Sequence, residues 1–402
     1  MTAPPESEGK SSAAAAGTDR FAAYLRRCRH ARRLSLRQVE RLSEAFPERI
    51  SNSYLAYCET GRLLPSLGKL ITLSKVLGIP LQSFTERLEL DRELGPGEAV
   101  HAAAPWTELR DEGIREAEAG RLQHAYTCFE RALDRCGTGP AAAGPRADLR
   151  MDMAIVLKRM SRHHTARELL EEVLSEAPFR RDGDRADRAL ILLAGVLREM
   201  GRLPIAAMIA KEACQRAAAS GDALREAHAS SVLGCALYDL GQIQEAATLY
   251  ESAVKVYRQQ GDPAKLVCNL GNLGNCLVRS GRFNEGMRLL AEAEELARRN
   301  GFLRQTADIL GYMGAAHMEH AAPDQAEHRF FQSNKIARAH GFNDVLFGNV
   351  WHLRRIALKR ARDAEALDHM RTLRYLRTKV EGTSAEIRAF DRVMEQMDQE
   401  EA

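Results

Sequence analysis

The sequence predicts an all-α protein in two parts, an N-terminal five-helix domain followed by a right-handed α-solenoid of helix pairs. Three observations carry this. Ala, Leu, Arg and Glu dominate the 402 residues while aromatics make up 6%, a mix that favours helices over sheets. From Phe21 onward, apolar residues recur three or four apart, the spacing of one helix face. Finally, glycines recur every forty residues: Gly221, Gly261, Gly301 and Gly341 in one register, Gly201, Gly241 and Gly281 in a second that Ala321 continues, and Gly234, Gly274 and Gly314 in a third that Ala194 extends backwards. A fixed period of this size marks an array of supersecondary units stacked on one another.

Composition narrows the class further. With 45% apolar and 28% charged residues the chain has the balance of a folded protein. Apolar runs stay well short of the roughly 18 residues that span a bilayer, and the first 17 residues lack the apolar stretch of a secretion signal. The eight cysteines form no CxxC pair, and they read as reduced thiols of a cytoplasmic protein. The net charge of +3 hides an asymmetry, since residues 18–90 hold 13 Lys/Arg against 7 Asp/Glu. Arg20, Arg26, Arg27, Arg29, Arg32 and Arg33 stand there against Asp19 alone. Such a run fits either a polyanion partner or a solvated helix face.

The elements follow in order. Residues 1–17, with an alanine run, form a low-complexity tail expected to be disordered. Phe21, Leu25 and Cys28 line a first helix. Ser35 caps a second, with Leu36, Val39 and Leu42 on its apolar side. Pro47 keeps the connector Glu44–Arg49 out of helix. A third helix opens at Ser51 and stops before Gly61. The fourth starts after Pro65-Ser66, turns Leu67, Leu70, Leu73 and Leu77 inward, and closes at Gly78. Ile79, Leu81 and Phe84 cover the end of the core.

These segments resemble the lambda-repressor-like, XRE-type helix-turn-helix family: Leu34-Ser-Leu-Arg-Gln-Val39, Ile50-Ser-Asn-Ser-Tyr-Leu-Ala-Tyr-Cys-Glu-Thr-Gly61, Pro65-Ser-Leu-Gly-Lys-Leu70 and Leu77-Gly-Ile-Pro-Leu81. The connector between the second and third helices is longer than that family's tight turn. The resemblance implies a duplex DNA operator as partner and makes the third helix the one that enters the major groove. Its first residues and those a turn later would then face base edges. That places Asn52, Ser53, Ala56 and Tyr57 toward DNA, with Leu55 and Cys58 buried. An Asn amide matches adenine N6/N7 and a Ser hydroxyl donates or accepts, although both residues also suit a helix N-terminus. Ser51, Arg37, Arg62 and Lys69 are the expected phosphate contacts.

After a linker at 91–104, residues 105–382 read as six repeats and a degenerate seventh, and 383–402 as a capping helix. Each unit is helix, tight turn, helix, turn. Ala125, Ala166, Ala206, Ala246 and Ala326, with Gly286, recur after the first turn, where small residues let two helices approach. Phe129, Leu170, Tyr250, Leu290 and Phe330 follow four positions later. This pattern resembles tetratricopeptide repeats, lengthened from 34 residues to forty. Together the two parts resemble the RRNPP class of peptide-sensing regulators, which implies a repeat domain that binds a short peptide, and a homodimer.

In tetratricopeptide solenoids the first helix of each pair lines the concave face. Asn269, Asn272 and Asn275 recur every third residue on one such helix, and Asn is a mediocre helix former, so the row calls for a reason. A side-chain amide pairs with both the N–H and the C=O of an extended peptide. Tyr238, Arg279, Tyr312, Trp351, His352 and Arg355 occur in neighbouring first helices, Trp351 fitting the core equally well. The candidate ligand-binding set is Tyr238, Asn272, Asn275, Arg279, Tyr312, His352 and Arg355. Solvent-facing or capping asparagines are the alternative, and with them repeats that bind a protein partner or a small molecule. His317, His320 and His328 suggest a metal site, but His317 and His320 sit at a helix end without a convincing third ligand, and a solvated helix end is the better reading. No phosphate-binding loop, GxSxG elbow or HExxH is present. The expectation is a non-enzymatic regulator with no cofactor.

Overall fold

The structure, a computed structural model, describes residues 11–94, 104–176, 183–380 and 384–401. The first ten residues of the expected tail and most of the expected linker, 95–103, lie outside the described residues. Among the described residues there are 20 α-helices and no strand. The chain falls into two compact units, Met1–Pro178 and Phe179–Ala402.

The first unit begins with α1 (Ser11–Ala31), α2 (Leu36–Ser43), α3 (Asn52–Glu59), α4 (Leu67–Leu77) and α5 (Leu81–Leu94). Helix α1 thus takes in the second part of the low-complexity stretch. Ser35 caps α2 in a box: it accepts from the Gln38 amide at 3.3 Å, and the Gln38 side chain accepts from the Ser35 amide at 2.8 Å. Phe21, Leu25, Val39, Ile50, Leu55, Leu73 and Phe84 form one core, with Phe84 edge-on to both Phe21 and Tyr24 at 6.2 and 6.0 Å.

Two leucines expected inside are not. Leu67 is 62% exposed and Leu42 48%. Three-residue steps each lag a full turn by about 60°, so Leu67 lies two lags away from the face that buries Leu73.

Two helix pairs complete this unit: α6 (Trp106–Glu118) with α7 (Leu122–Arg135), then α8 (Ala143–Arg159) with α9 (His163–Ser175).

The second unit holds five pairs and a last helix: α10 (Gly183–Glu199) and α11 (Leu203–Ser220), α12 (Ala223–Asp239) and α13 (Ile243–Gln260), α14 (Pro263–Arg279) and α15 (Phe283–Arg299), α16 (Leu303–Glu319) and α17 (Pro323–His340), α18 (Asn343–Lys359) and α19 (Asp363–Arg377), then α20 (Ala385–Glu401). The pair expected to be degenerate is α18 and α19.

The forty-residue registers have distinct physical causes. Gly201, Gly241 and Gly281 sit at φ 73°, 84° and 81°, and Ser161, Ala321 and Ala361 take the same left-handed place at 60°, 53° and 53°. That residue lets the next amide fold back on the helix, Gln242 to the Leu237 carbonyl and Ala322 to that of His317, both at 2.9 Å. In the third register the reason is space. A Cβ on Gly234 would lie 2.9 Å from the Tyr250 ring, one on Gly274 2.9 Å from Leu290, and one on Gly314 2.6 Å from the Phe330 ring. Each glycine is the socket for the large residue sixteen positions on. Opposite, Ala206, Ala246 and Ala326 are fully buried and hold the paired helices close.

Candidate nucleic-acid interface and effector site

Helix α3 is placed from both ends. At its start the buried Ser43 hydroxyl accepts from the Ile50 amide at 2.9 Å and donates to the Glu40 carbonyl at 2.6 Å, which closes the long connector over its own base. Ser51 then caps the helix, accepting from the Tyr54 amide at 3.2 Å. At its far end the buried Glu59 carboxylate accepts from Arg29 Nε and Nη2 of α1, each at 2.7 Å, and its carbonyl accepts from Arg26 at 2.6 Å. Leu55 and Cys58 are buried as expected.

What α3 shows to solvent is the polar face: Ser53 and Tyr57 exposed, Asn52 and Ala56 half-buried. Ser53 Oγ donates to Asn52 Oδ1 at 3.1 Å, which pre-orients the amide. Arg37 and Arg62 are exposed beside it. Lys69 is tied down instead. Its ammonium donates to the Arg49 carbonyl, pairs with Glu48 at 3.3 Å and lies 5.5 Å from the Tyr54 ring centre. It braces the connector against α4. Much of the basic run from Arg20 to Arg33 is likewise engaged within the protein, by Glu130 for Arg20, by Glu172 for Arg27 and by the Gly78 carbonyl for Arg32, besides Arg26 and Arg29 on Glu59.

In the second unit the asparagine row is drawn into rungs between successive first helices. Asn275 Nδ2 of α14 donates to the Tyr238 hydroxyl of α12 at 2.8 Å, and the Arg279 guanidinium lies 4.9 Å over the Tyr238 ring. Tyr312 of α16 donates to Asn272 Oδ1 at 3.5 Å, and Asn272 Nδ2 approaches Cys235 Sγ at 3.9 Å. Asn269 is buried, accepting from Ser231 and donating to the Lys265 carbonyl, both at 2.8 Å. Thus Asn272 and Asn275 stay half-buried with side-chain partners already in place, and Asn269 is structural.

The remaining expected residues are not part of this row. Trp351 is core, edge-on to Phe390 at 6.5 Å. His352 stacks on Phe330 at 5.4 Å and pairs with Glu386 of α20 at 3.6 Å. Burial would raise the Glu386 carboxyl, but the hydrogen bond and charge of His352 outweigh it and hold it at about 2. His352 therefore fastens the last helix. Arg355 is exposed.

Cys235 and Ser231 were missed by sequence reasoning. Both were legible in the forty-residue register, where Cys235 precedes Asn275 and Ser231 precedes Gly271.

Among the described residues one group has metal-ligand spacing: Glu112, His124 and Cys128, whose donor atoms lie within 4.8 Å of one another. An ordinary ion pair between His124 and Glu112 at 3.6 Å accounts for two of them. Burial, then the Glu112 and Glu116 carboxylates, push the Cys128 thiol up to about 11. No described helix is long and apolar enough to cross a membrane.

Comparison with known proteins agrees with this architecture. The helix-turn-helix domain family matches residues 20–86 and the tetratricopeptide repeat family residues 185–259. Those segments thus match a helix-turn-helix domain and tetratricopeptide repeats, and neither matching family is an enzyme family. No curated protein matches it.

Solved structures of similar fold include a Rap protein complexed with Competence and Sporulation Factor, at TM-score 0.56 and 13% identity, covering 92% of this chain and 98% of that one. Aspartyl phosphate phosphatase F from Bacillus subtilis follows at 0.55 and 12%, covering 96% and 98%. The Rap conjugation gene regulator of plasmid pLS20, in complex with the Phr* peptide, stands at 0.55 and 12%, covering 91% and 95%. At such identities the likeness is one of fold, a helical solenoid of tetratricopeptide-like pairs.

Proposed function

We propose that the protein is a cytoplasmic, sequence-specific transcription regulator that dimerises, reads DNA with α3 and senses a short peptide with the repeats of its second unit. The presentation of α3 carries the DNA half: a capped helix whose outward face is Asn52, Ser53 and Tyr57, fixed by buried pairs at both ends. Arg37 and Arg62 flank it as phosphate contacts, and Asn52 meets an adenine edge. A two-fold dimer sets two such helices about 34 Å apart along the duplex.

The peptide half is supported by the Asn272–Tyr312 and Asn275–Tyr238 rungs, where amides and hydroxyls stand half-buried in neighbouring first helices. A bound peptide would exchange these bonds for bonds to its own backbone, and Arg279 would meet a carboxylate. A protein of the same fold is known with a peptide bound.

The test is selection of random duplexes by the full-length protein, followed by binding of the enriched duplex with and without synthetic peptides from the host's secreted fraction. A palindromic motif and a peptide that shifts affinity at least tenfold are expected. Binding without sequence preference defeats the first half. A response to a folded partner protein alone defeats the second.

A further inference from the structure

We infer that the reading helix is welded to the first two helix pairs through α1, so that DNA is met by one rigid body and not by a domain swinging on a linker. This rests on the DNA-reading proposal for its meaning, but not for its test. One face of α1 grips α3 through Arg29 and Arg26 on Glu59. Another face of the same helix grips the repeats. Tyr24 donates its hydroxyl to the Glu168 carboxylate of α9 at 3.0 Å, Arg20 pairs with Glu130 of α7 at 2.9 Å, and Arg27 approaches Glu172 at 3.6 Å.

Helix α5 closes the same seam. Arg87 donates to the Tyr126 hydroxyl at 3.2 Å and lies 4.9 Å over the Tyr24 ring. The Glu86 carboxylate accepts from the His164 and Thr165 amides at 3.0 and 2.7 Å, which supplies the cap that α9 lacks from its own side chains. Arg162 reaches back to Glu89 and Glu93 at 2.6 and 2.5 Å.

These contacts are charge-assisted and several are desolvated, which makes them geometrically specific. A helix cap provided by another domain is also hard to share with a moving partner, because α9 loses its first-turn bonds when the domain leaves. Tyr24 and Glu86 are positioning residues: they act on DNA only through α1 and α3.

The experiment places a protease site within residues 95–103 of the full chain, cleaves it, and follows the two pieces by gel filtration at micromolar concentration. The pieces are expected to co-elute. Glu168→Arg combined with Glu86→Gln should weaken their association at least tenfold. Hydrogen exchange of uncut Tyr24→Phe, which keeps the ring but loses the Glu168 bond, should show faster exchange in α1 and also in α3. Separation of the wild-type pieces overturns the inference, as does a Tyr24→Phe protein whose α3 exchange is unchanged. Neither readout needs DNA, so failure of the DNA proposal stays distinguishable.

Discussion

Glu59 and Arg29 form a two-pronged pair across the α1–α3 contact, both prongs at 2.7 Å, with side chains only 4% and 10% exposed. A carboxylate this deep tolerates its burial because a planar guanidinium satisfies both of its oxygens.

Removing one partner is therefore far worse than removing both. Glu59→Ala should cost about 3–5 kcal/mol because Arg29 is left charged and buried. Glu59→Ala with Arg29→Met should recover a good part of that. Chemical denaturation of the three proteins checks this, and equal losses for the single and double variants would contradict it.

On DNA, three of the residues proposed from the sequence should part company. Asn52→Ala should lose about 1–3 kcal/mol and relax one base position. Arg37→Ala should weaken all sequences alike and reduce the salt slope. Lys69→Ala should leave the salt slope nearly unchanged and lower the melting temperature, because its ammonium braces Arg49 and Glu48. Binding isotherms at several salt concentrations, beside melting curves, separate the three.

Asp91 makes stability pH-dependent. Burial, set against the hydrogen bond from the Phe21 amide, pushes its carboxyl from 3.8 up to about 7. The unfolded chain thus ionises near 3.8 while the folded chain keeps its proton to about 7. The folded state binds more protons over that interval, so this group's contribution to stability falls as pH rises and levels off above pH 7. Asp91→Asn should flatten the decline and be the more stable protein at pH 8. Unfolding free energies of both proteins from pH 4 to 8 decide it, and parallel curves would rule it out.

In the effector region, Asn275→Ala and Tyr238→Phe each delete the same bond. Each should cost about 0.5–1.5 kcal/mol of stability, with the double variant no worse than either. Additive losses would show that the two side chains are independent.

Ala321 offers a gain. It holds φ 53° where Gly241 and Gly281 stand in the preceding units, and the left-handed region costs a non-glycine residue about 1–2 kcal/mol. Ala321→Gly should raise the melting temperature despite its more flexible unfolded state. A lowered one would show that the turn carries no such strain.

The helix pairs were legible because each leaves punctuation in the chain: a left-handed residue at one turn, a glycine socket sixteen residues before a large side chain. The five N-terminal helices were legible from caps and spacing. The seam was not. Arg20 meets a carboxylate 110 residues away and Tyr24 one 144 residues away, and counting charges along a helix says nothing of what packs against it. The arginine run therefore read as a polyanion surface or a solvated helix face, whereas several of its members are internal ties. The partner of His352 was hidden for the same reason, since only the packed chain brings Glu386 of α20 to it. The asparagine row was found by its spacing. That its amides are already engaged depends on Tyr238 and Tyr312, one repeat before and one after.

The cap that Glu86 lends to α9 has a bearing on how the protein is made. A ribosome releases α1 to α5 well before the residues of α9, so the N-terminal domain is born with Tyr24, Glu86 and Arg87 facing water. Its own core, Phe21 through Phe84, needs nothing made later. Synthesis thus yields the five-helix domain first and fastens it to the repeats afterwards, as Tyr126 and Glu130 and then His164 and Thr165 arrive. A message truncated after α5 would leave that domain with its own core complete but without its attachment to the first two helix pairs.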